Sequence, residues 1–456
     1  MPMTFSAAIA RAPLKPFQLA VIGFGLLMLV VDGIDLQSLP LVTPLILEEW
    51  GIDRAAFGPA LAASLFGMGF GSILGGMLGD RIGRLRTLFL ACLIFGASTI
   101  AAAFTDSVWP MSAVRALGGL GFGAAYPNAL ALVSDWVPER SRPNTVSFVS
   151  VGIPVGISVS AAVMPYLLPA YGWRGAFIAF GIGSILLGIL VISLLREPPS
   201  FLLAKGKAKA ASRNAAKVID SAIELLPEPT AATGNAAGEN IGVFHRSNRL
   251  LNIGMVISFS ATTTLVYGLL NWTTVLLTAA GFTLDQAQQA GFWQGILSIV
   301  GGLSAGLTTR TFGSRAVTIV GAALIFANIV ALGWMVDSLG IAPSATDRSI
   351  IIVLEGLAVG LVSMMITVFY VVMAHGYPHS CRSGGIGFVI TSGRLFSIAM
   401  VYYGGTLLNL GGRSFVWYFA VLAAISVLVF AAAFIVDCQV ESARSKELPA
   451  SAARER

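Results

Sequence analysis

Apolar residues in this chain run in stretches of about 20 or more, divided by short polar turns. About 20 mainly apolar residues suffice for a helix to cross ~30 Å of hydrocarbon. Such stretches fall near 17–46, 55–78, 87–104, 108–134, 143–170 and 173–195, and again near 250–280, 287–309, 315–337, 347–374, 383–410 and 413–437. The breaks carry turn and charge signals, among them Gly79-Asp80-Arg81 and Pro138-Glu139-Arg140. The pattern predicts an all-α integral membrane protein with twelve transmembrane helices. One long polar interval, with seven Lys and Arg residues from Lys205 to Arg249, divides them six and six. The expected organisation is a six-helix bundle over 1–195, a cytoplasmic linker with some short helix over 196–249, a second bundle over 250–437 and a cytoplasmic tail over 438–456. A weak internal echo supports the division: Gly79-Asp-Arg-Ile-Gly83-Arg84 after the second span is matched by Arg310-Thr-Phe-Gly313-Ser-Arg315 after the eighth.

Composition strengthens this reading. Of 456 residues, 56% are hydrophobic and 11% charged, against roughly 25% charged in an ordinary soluble domain. The mean hydropathy is +0.83. So few charges cannot cover a soluble surface of this size, so lipid is the expected outer solvent. The 51 glycines suit helices packed closely in a bilayer. The net charge of +6 does not point to nucleic acid, because the basic residues lie between apolar stretches. Cys92, Cys381 and Cys438 show no disulfide or metal spacing, and no metal site or cofactor is expected. The N-terminus has no short apolar core followed by a small-residue cleavage site, so the first apolar stretch is expected to stay as a helix.

Charge sets the expected orientation. With both termini in the cytoplasm, every Lys and Arg lies on that side or in the tails, except Arg54, Arg174, Arg348 and Arg413 outside and Arg115 and Arg394 within spans. This is the bias of the positive-inside rule.

Ionisable residues within spans are rare and usually face a cavity. Asp32 and Asp35 lie midway along the first span, three residues apart and so on one face. They form a candidate protonation site, because a low-dielectric setting disfavours two buried anions together. Alternatively, one of them pairs with Arg115 of the fourth span to hold helices together. Arg115 and Arg394, in the eleventh span, are the candidates for binding an anion, since guanidinium holds carboxylate in a bidentate pair. Glu355 in the tenth span, nearer a membrane face, is expected to form a structural or gating pair. Aromatic rings beside amides, Asn271-Trp272 and Trp293-Gln294, together with Tyr370, are candidate walls for a flat polar ligand. Pro40, Pro44, Pro127, Pro154 and Pro165 are expected to interrupt spans, which is tolerated where protein or a cavity re-satisfies the backbone.

The segment Gly79-Asp80-Arg81-Ile82-Gly83-Arg84-Leu85-Arg86, between the second and third spans, resembles the signature loop of the major facilitator superfamily. The resemblance implies two six-helix bundles rocking about a central cavity, with Gly79, Asp80, Arg81, Gly83, Arg84 and Arg86 controlling conformation and Asp80 pairing with basic groups across the cytoplasmic gate. Further pieces resemble the aromatic acid:proton symporter branch: Asp32-Gly-Ile-Asp35, Arg115-Ala-Leu-Gly-Gly-Leu-Gly-Phe-Gly123, Pro127-Asn128, Gly172-Trp-Arg174, Glu197-Pro-Pro-Ser-Phe-Leu202 and Tyr377-Pro378 to Arg394. Departures are Asp135 where relatives more often have Glu, and a second-half signature without its Asp. The branch implies uptake of a small aromatic carboxylate with protons across a bacterial inner membrane, by a chain functional as a monomer, with Asp32 and Asp35 in coupling.

Other readings are an importer of another organic anion, an exporter or exchanger of the same fold, and a transporter-like receptor. Gly152-Ile-Pro154-Val-Gly156 resembles half of an antiporter motif. An enzyme is not expected, since His245, His375 and His379 have no ligand or triad spacing and no Gly-x-x-x-x-Gly-Lys loop is present.

Overall fold

The computed structural model describes residues 3–10, 13–220, 225–227, 242–339, 344–378, 381–412, 414–436 and 440. The tail 438–456 other than Val440, the linker stretch 228–241, Arg413 and His379 lie outside the described residues.

The predicted spans form helices: Pro16–Trp50, Arg54–Ile82, Arg84–Ala102 and Val108–Trp136, then a run Gly152–Leu194, and in the second half Arg249–Ala279, Leu284–Phe312, Ser314–Asp337, Ala345–Gly376, Arg382–Leu410 and Val416–Ala432. Among the described residues, ten helices are long and apolar enough to cross a membrane. One of these holds two spans. The 43 residues of Gly152–Leu194 would extend about 65 Å at 1.5 Å per residue, twice the hydrocarbon thickness. The run is broken at Gly172, whose φ of 64° and ψ of 179° are open essentially to glycine alone. The fifth span therefore ends at 171 and the sixth begins at 173. With the shorter apolar helix Val416–Ala432, twelve spans result. The prolines do not end helices: Pro40 and Pro44 lie inside the first span and Pro127 inside the fourth.

Two features sharpen the all-α expectation. The linker holds short helices Pro199–Ala204 and Ala208–Ala215. Met3–Thr4 also pairs in parallel with Leu225–Leu226 as a two-residue ladder, because the apolar start of the chain packs against this unit. Phe5 and Ile9 are fully buried, and Phe5 meets Trp136 edge-on at 5.6 Å.

The chain packs as two compact units. One comprises Met1–Leu36, Phe66–Gly156 and Leu167–Gly238; the other comprises Gln37–Leu65, Ile157–Tyr166 and Glu239–Arg456. The second thus includes the far half of the first span and the near half of the second. Within it, Gln37 Nε2 donates to the Leu270 carbonyl at 3.5 Å and Gln288 Nε2 to the Leu41 carbonyl at 3.2 Å.

Each unit has a seam where helix backbones touch. In the first, Gly67 and Gly71 of the second span lie against the Ala116 and Leu120 carbonyls of the fourth; in the second, Gly301 of the eighth lies against Gly360 of the tenth. Such approaches provide the dispersion contacts that join helices in lipid, where no hydrophobic force acts between them.

Candidate functional site

In the first unit, the first span holds its two acids differently. Asp35 accepts a hydrogen bond from Thr99 Oγ1 at 2.6 Å and from Arg115 Nη1 at 3.2 Å. Arg115 Nη2 also donates to the Asp35 backbone carbonyl at 3.1 Å. The guanidinium thus binds the side chain and the main chain of Asp35 together. Asp32 is 1% exposed, and neither of its carboxylate oxygens has a hydrogen-bond partner among the described residues. Gly33, between them, holds the helix against the fifth span: a Cβ there would overlap the Ile153 carbonyl oxygen.

The signature turn lies at one end of the same unit. Gly83, at φ 111° and ψ 151°, precedes the first helical residue of the third span. Arg84 pairs with Asp135 and donates to the Ala131 carbonyl at 2.9 Å. Arg86 N–H donates to Glu197 Oε1 at 3.3 Å, so this carboxylate sits at a helix N-terminus, where N–H groups are free and the dipole favours an anion. Burial pushes the Glu197 carboxyl up, opposed by the N–H groups of residues 84–86 and the Arg86 charge. Asn128 Nδ2 donates to the Gly75 carbonyl at 2.9 Å, beside Gly79. Asp80 and Arg81 are exposed and form no ion pair among the described residues. The acids that engage this turn are Asp135 and Glu197, not Asp80.

The second-half echo has the same backbone with different chemistry. Gly313, at φ 79° and ψ 154°, begins the ninth span. Ser314 stands where the first half has Arg84, and exchanges two hydrogen bonds with the Val440 backbone, at 2.9 and 2.8 Å.

The second unit has a buried acid without a cationic partner. Glu355 Oε2 accepts from Thr273 Oγ1 at 2.9 Å and Gln294 Nε2 at 3.1 Å, and Gln294 Nε2 also reaches Thr273 at 2.9 Å. Glu355 is buried in the tenth span, and the partners of its carboxylate among the described residues are these neutral donors. The Tyr418 hydroxyl is buried without a partner among the described residues.

The predicted ligand walls separate into two classes. Trp272 is fully buried, and its Nε1–H donates to the Val401 carbonyl at 3.1 Å. Its ring packs against Gly404 and Gly405 of the eleventh span, so it is helix packing and not an open wall. Asn271 donates to the Tyr267 carbonyl of its own helix at 2.9 Å, and the Gln294 amide N–H is committed to Glu355 and Thr273. Trp293 and Tyr370, at 43% and 40% exposed, present open ring surface. Tyr370 meets Phe259 edge-on at 5.5 Å, and Phe259 also lies against Gly393, the residue before half-buried Arg394. Thr99, Thr273 and the helix-terminal place of Glu197 were not legible as partners from the pattern of residues.

The comparisons with known proteins agree with this architecture. The chain is 30% identical over 442 residues to the 4-hydroxybenzoate transporter PcaK of Acinetobacter baylyi, covering 94% of this chain and 92% of that protein. It is 25% identical to a gallate transporter of Pseudomonas putida, covering 88% of each, and 27% identical to a benzoate transport protein of Acinetobacter baylyi, covering 93% and 90%. Among solved structures, the Escherichia coli xylose transporter XylE in a partially occluded inward-open conformation has the same fold, with a TM-score of 0.70 at 17% identity, covering 93% of this chain and 98% of that one. The family model of the Major Facilitator Superfamily matches residues 25–375. With its twelve spans, signature turn and second-half echo, the chain belongs to the major facilitator superfamily and is a membrane transport protein.

Proposed function

We propose that this transporter imports a small aromatic carboxylate, such as a hydroxybenzoate, together with a proton, by alternating access between two six-helix halves joined by a cytoplasmic linker. The observation that carries the reading is the division of labour between Asp35, bound to Arg115, and Asp32, buried without a partner. A lone buried carboxylate is tolerated as the neutral acid far better than as the anion, so Asp32 is the residue that takes and releases the proton. The relatives, named for 4-hydroxybenzoate, gallate and benzoate, support an aromatic acid as cargo. Arg115 has both terminal nitrogens on Asp35, and Arg394, half-buried in the eleventh span, receives the substrate carboxylate in this reading, with Tyr370 and Trp293 beside the ring. The turn Gly79–Arg86 controls release into the cytoplasm, where both termini lie, and the chain works as a monomer in a bacterial inner membrane.

The test is uptake of labelled 4-hydroxybenzoate, protocatechuate and vanillate by proteoliposomes, with and without an inward proton gradient. Accumulation above equilibrium that collapses with a protonophore is expected. Asp32→Asn is expected to abolish accumulation while leaving substrate counterflow, because exchange does not require net proton release. Full gradient-driven accumulation by Asp32→Asn would remove this residue from coupling. No accumulation of any of the three acids would remove the substrate class.

A further inference from the structure

At its Arg249 end, the seventh span borders a cavity of about 420 Å³ lined by Phe244, Arg246, Arg249, Asn252, Ile253, Val256, Ile257 and Phe388. Val256 and Ile257 also line a second cavity, of about 330 Å³, which continues along the seventh, eleventh and twelfth spans past Ala261, Phe396, Met400 and Leu428. The two form one groove with a basic mouth and an apolar floor. Arg246 and Arg249 are exposed, and neither side chain has a hydrogen bond or ion pair among the described residues. Phe244 and Phe388 meet edge-on at 5.1 Å beside them. Phe244, Phe396 and Leu428 are more than half exposed. From Arg249 to Thr264, at the far end, is 15 residues, or about 22 Å of helix, which spans one leaflet of a bilayer with a hydrocarbon core of ~30 Å.

We propose that this groove holds one anionic phospholipid, its phosphate on Arg246 and Arg249 and one acyl chain along Val256, Ile257, Phe396 and Leu428. Charge selects the occupant: two guanidiniums with no anionic partner among the described residues bind phosphate oxygens well, while the rest of the groove is mainly apolar, with Asn252, Ser260 and Thr264 as its polar lining. The orientation proposed above places the mouth at the cytoplasmic leaflet, where anionic headgroups and basic pockets between spans meet. The site does not depend on the identity of the transported acid.

The probe is phosphatidylglycerol against phosphatidylcholine, each supplied in mixed micelles to the purified full-length protein and read by native mass spectrometry. One retained phosphatidylglycerol is expected, with the phosphatidylcholine signal lower. Arg246→Gln with Arg249→Gln is expected to reduce that retention about thirtyfold, from the attraction of two basic residues to an anionic headgroup. Lys207→Gln with Lys209→Gln, in the linker, is expected to leave it unchanged. Ala261→Trp, which fills the far cavity with both arginines intact, is expected to lower it as well. Equal retention of the two lipids, or wild-type retention by the double arginine variant, would overturn the proposal. Displacement of phosphatidylglycerol by millimolar inorganic phosphate would overturn it in favour of a free-anion site. The folded state of each variant is checked by its thermal transition in detergent.

Discussion

Asp35 in the first span lies against a guanidinium, whereas Glu355 in the tenth lies against a hydroxyl and an amide. Both carboxylates are buried at the level of apolar helices, and both accept from a threonine of a neighbouring span. The difference is what each would leave behind. Removing Asp35 strands a buried guanidinium, and removing Arg115 strands a buried carboxylate. Removing either donor of Glu355 strands no opposite charge and leaves the carboxyl the other donor. Asp32 takes the contrast further, with no donor among the described residues, three residues from an acid whose carboxylate accepts from Thr99 and Arg115. One helix face therefore holds an acid fixed in place and an acid free to act, and the second unit holds one of intermediate kind.

The comparison breaks most visibly at Arg115. Arg115→Leu is expected to destabilise the protein by about 3–5 kcal/mol, the usual effect of removing one partner of a buried pair. The measurement is the loss of thermal stability in detergent. Arg115→Leu with Asp35→Leu should recover much of that loss, and a double variant no better than the single would mean that the ion pair is not the source. Next in size is Gly33→Ala, which presses a methyl group into the Ile153 carbonyl. Overpacking of this kind costs about 1–3 kcal/mol, and here it shifts the turn of the first span that lies between the two acids. Reduced stability with weaker gradient-driven uptake is expected, and a variant with wild-type values of both would separate the helix approach from the acids.

Glu355→Gln sharpens the comparison from the other side. An amide oxygen can still accept from Thr273 and Gln294, so the change is expected to stay within about 1 kcal/mol. A loss as large as that of Arg115→Leu would show that Glu355 has a charged role. The smallest effect is expected at Glu197. Burial raises its carboxyl, so the folded state holds this proton more tightly than the unfolded chain. Stability from that proton is present at low pH and is lost as pH rises through the ordinary and then the folded carboxyl range. Relative to Glu197→Gln, the wild type should lose thermal stability as pH rises above the ordinary carboxyl range, and a difference that is flat with pH would remove the effect.

The spans were legible because hydrocarbon thickness sets a length that few other structures share. The turns were legible through glycine: the spacing that sets Gly83 and Gly313 before a new helix returns as two positive φ angles. Asp32, Asp35 and Arg115 stood out because a charge within a span is expensive and therefore rare. Which aspartate meets the arginine was not legible, since residues three apart share a face and only the fourth span's placement decides. Thr99 and Thr273 carried no signal. Each hydroxyl lies within reach of a carbonyl of its own helix, Phe95 and Leu269, as in most span threonines, and its single proton is shared between that carbonyl and the acid. The packed setting of Trp272 carried no signal in the sequence, because neighbours in a helix point about 100° apart. Asn271 and Trp272 therefore cannot line one wall, and the ring turns into the packing of the eleventh span.

Gly172 has a consequence for how the protein is made. A joint of one residue between the fifth and sixth spans has no slack, so neither helix can settle across the bilayer while the other waits in water. The two are expected to leave the insertion machinery together as a hairpin. Lengthening the joint with a flexible polar segment would let them enter one at a time, and a charged segment placed there would have to be carried across the membrane by the pair.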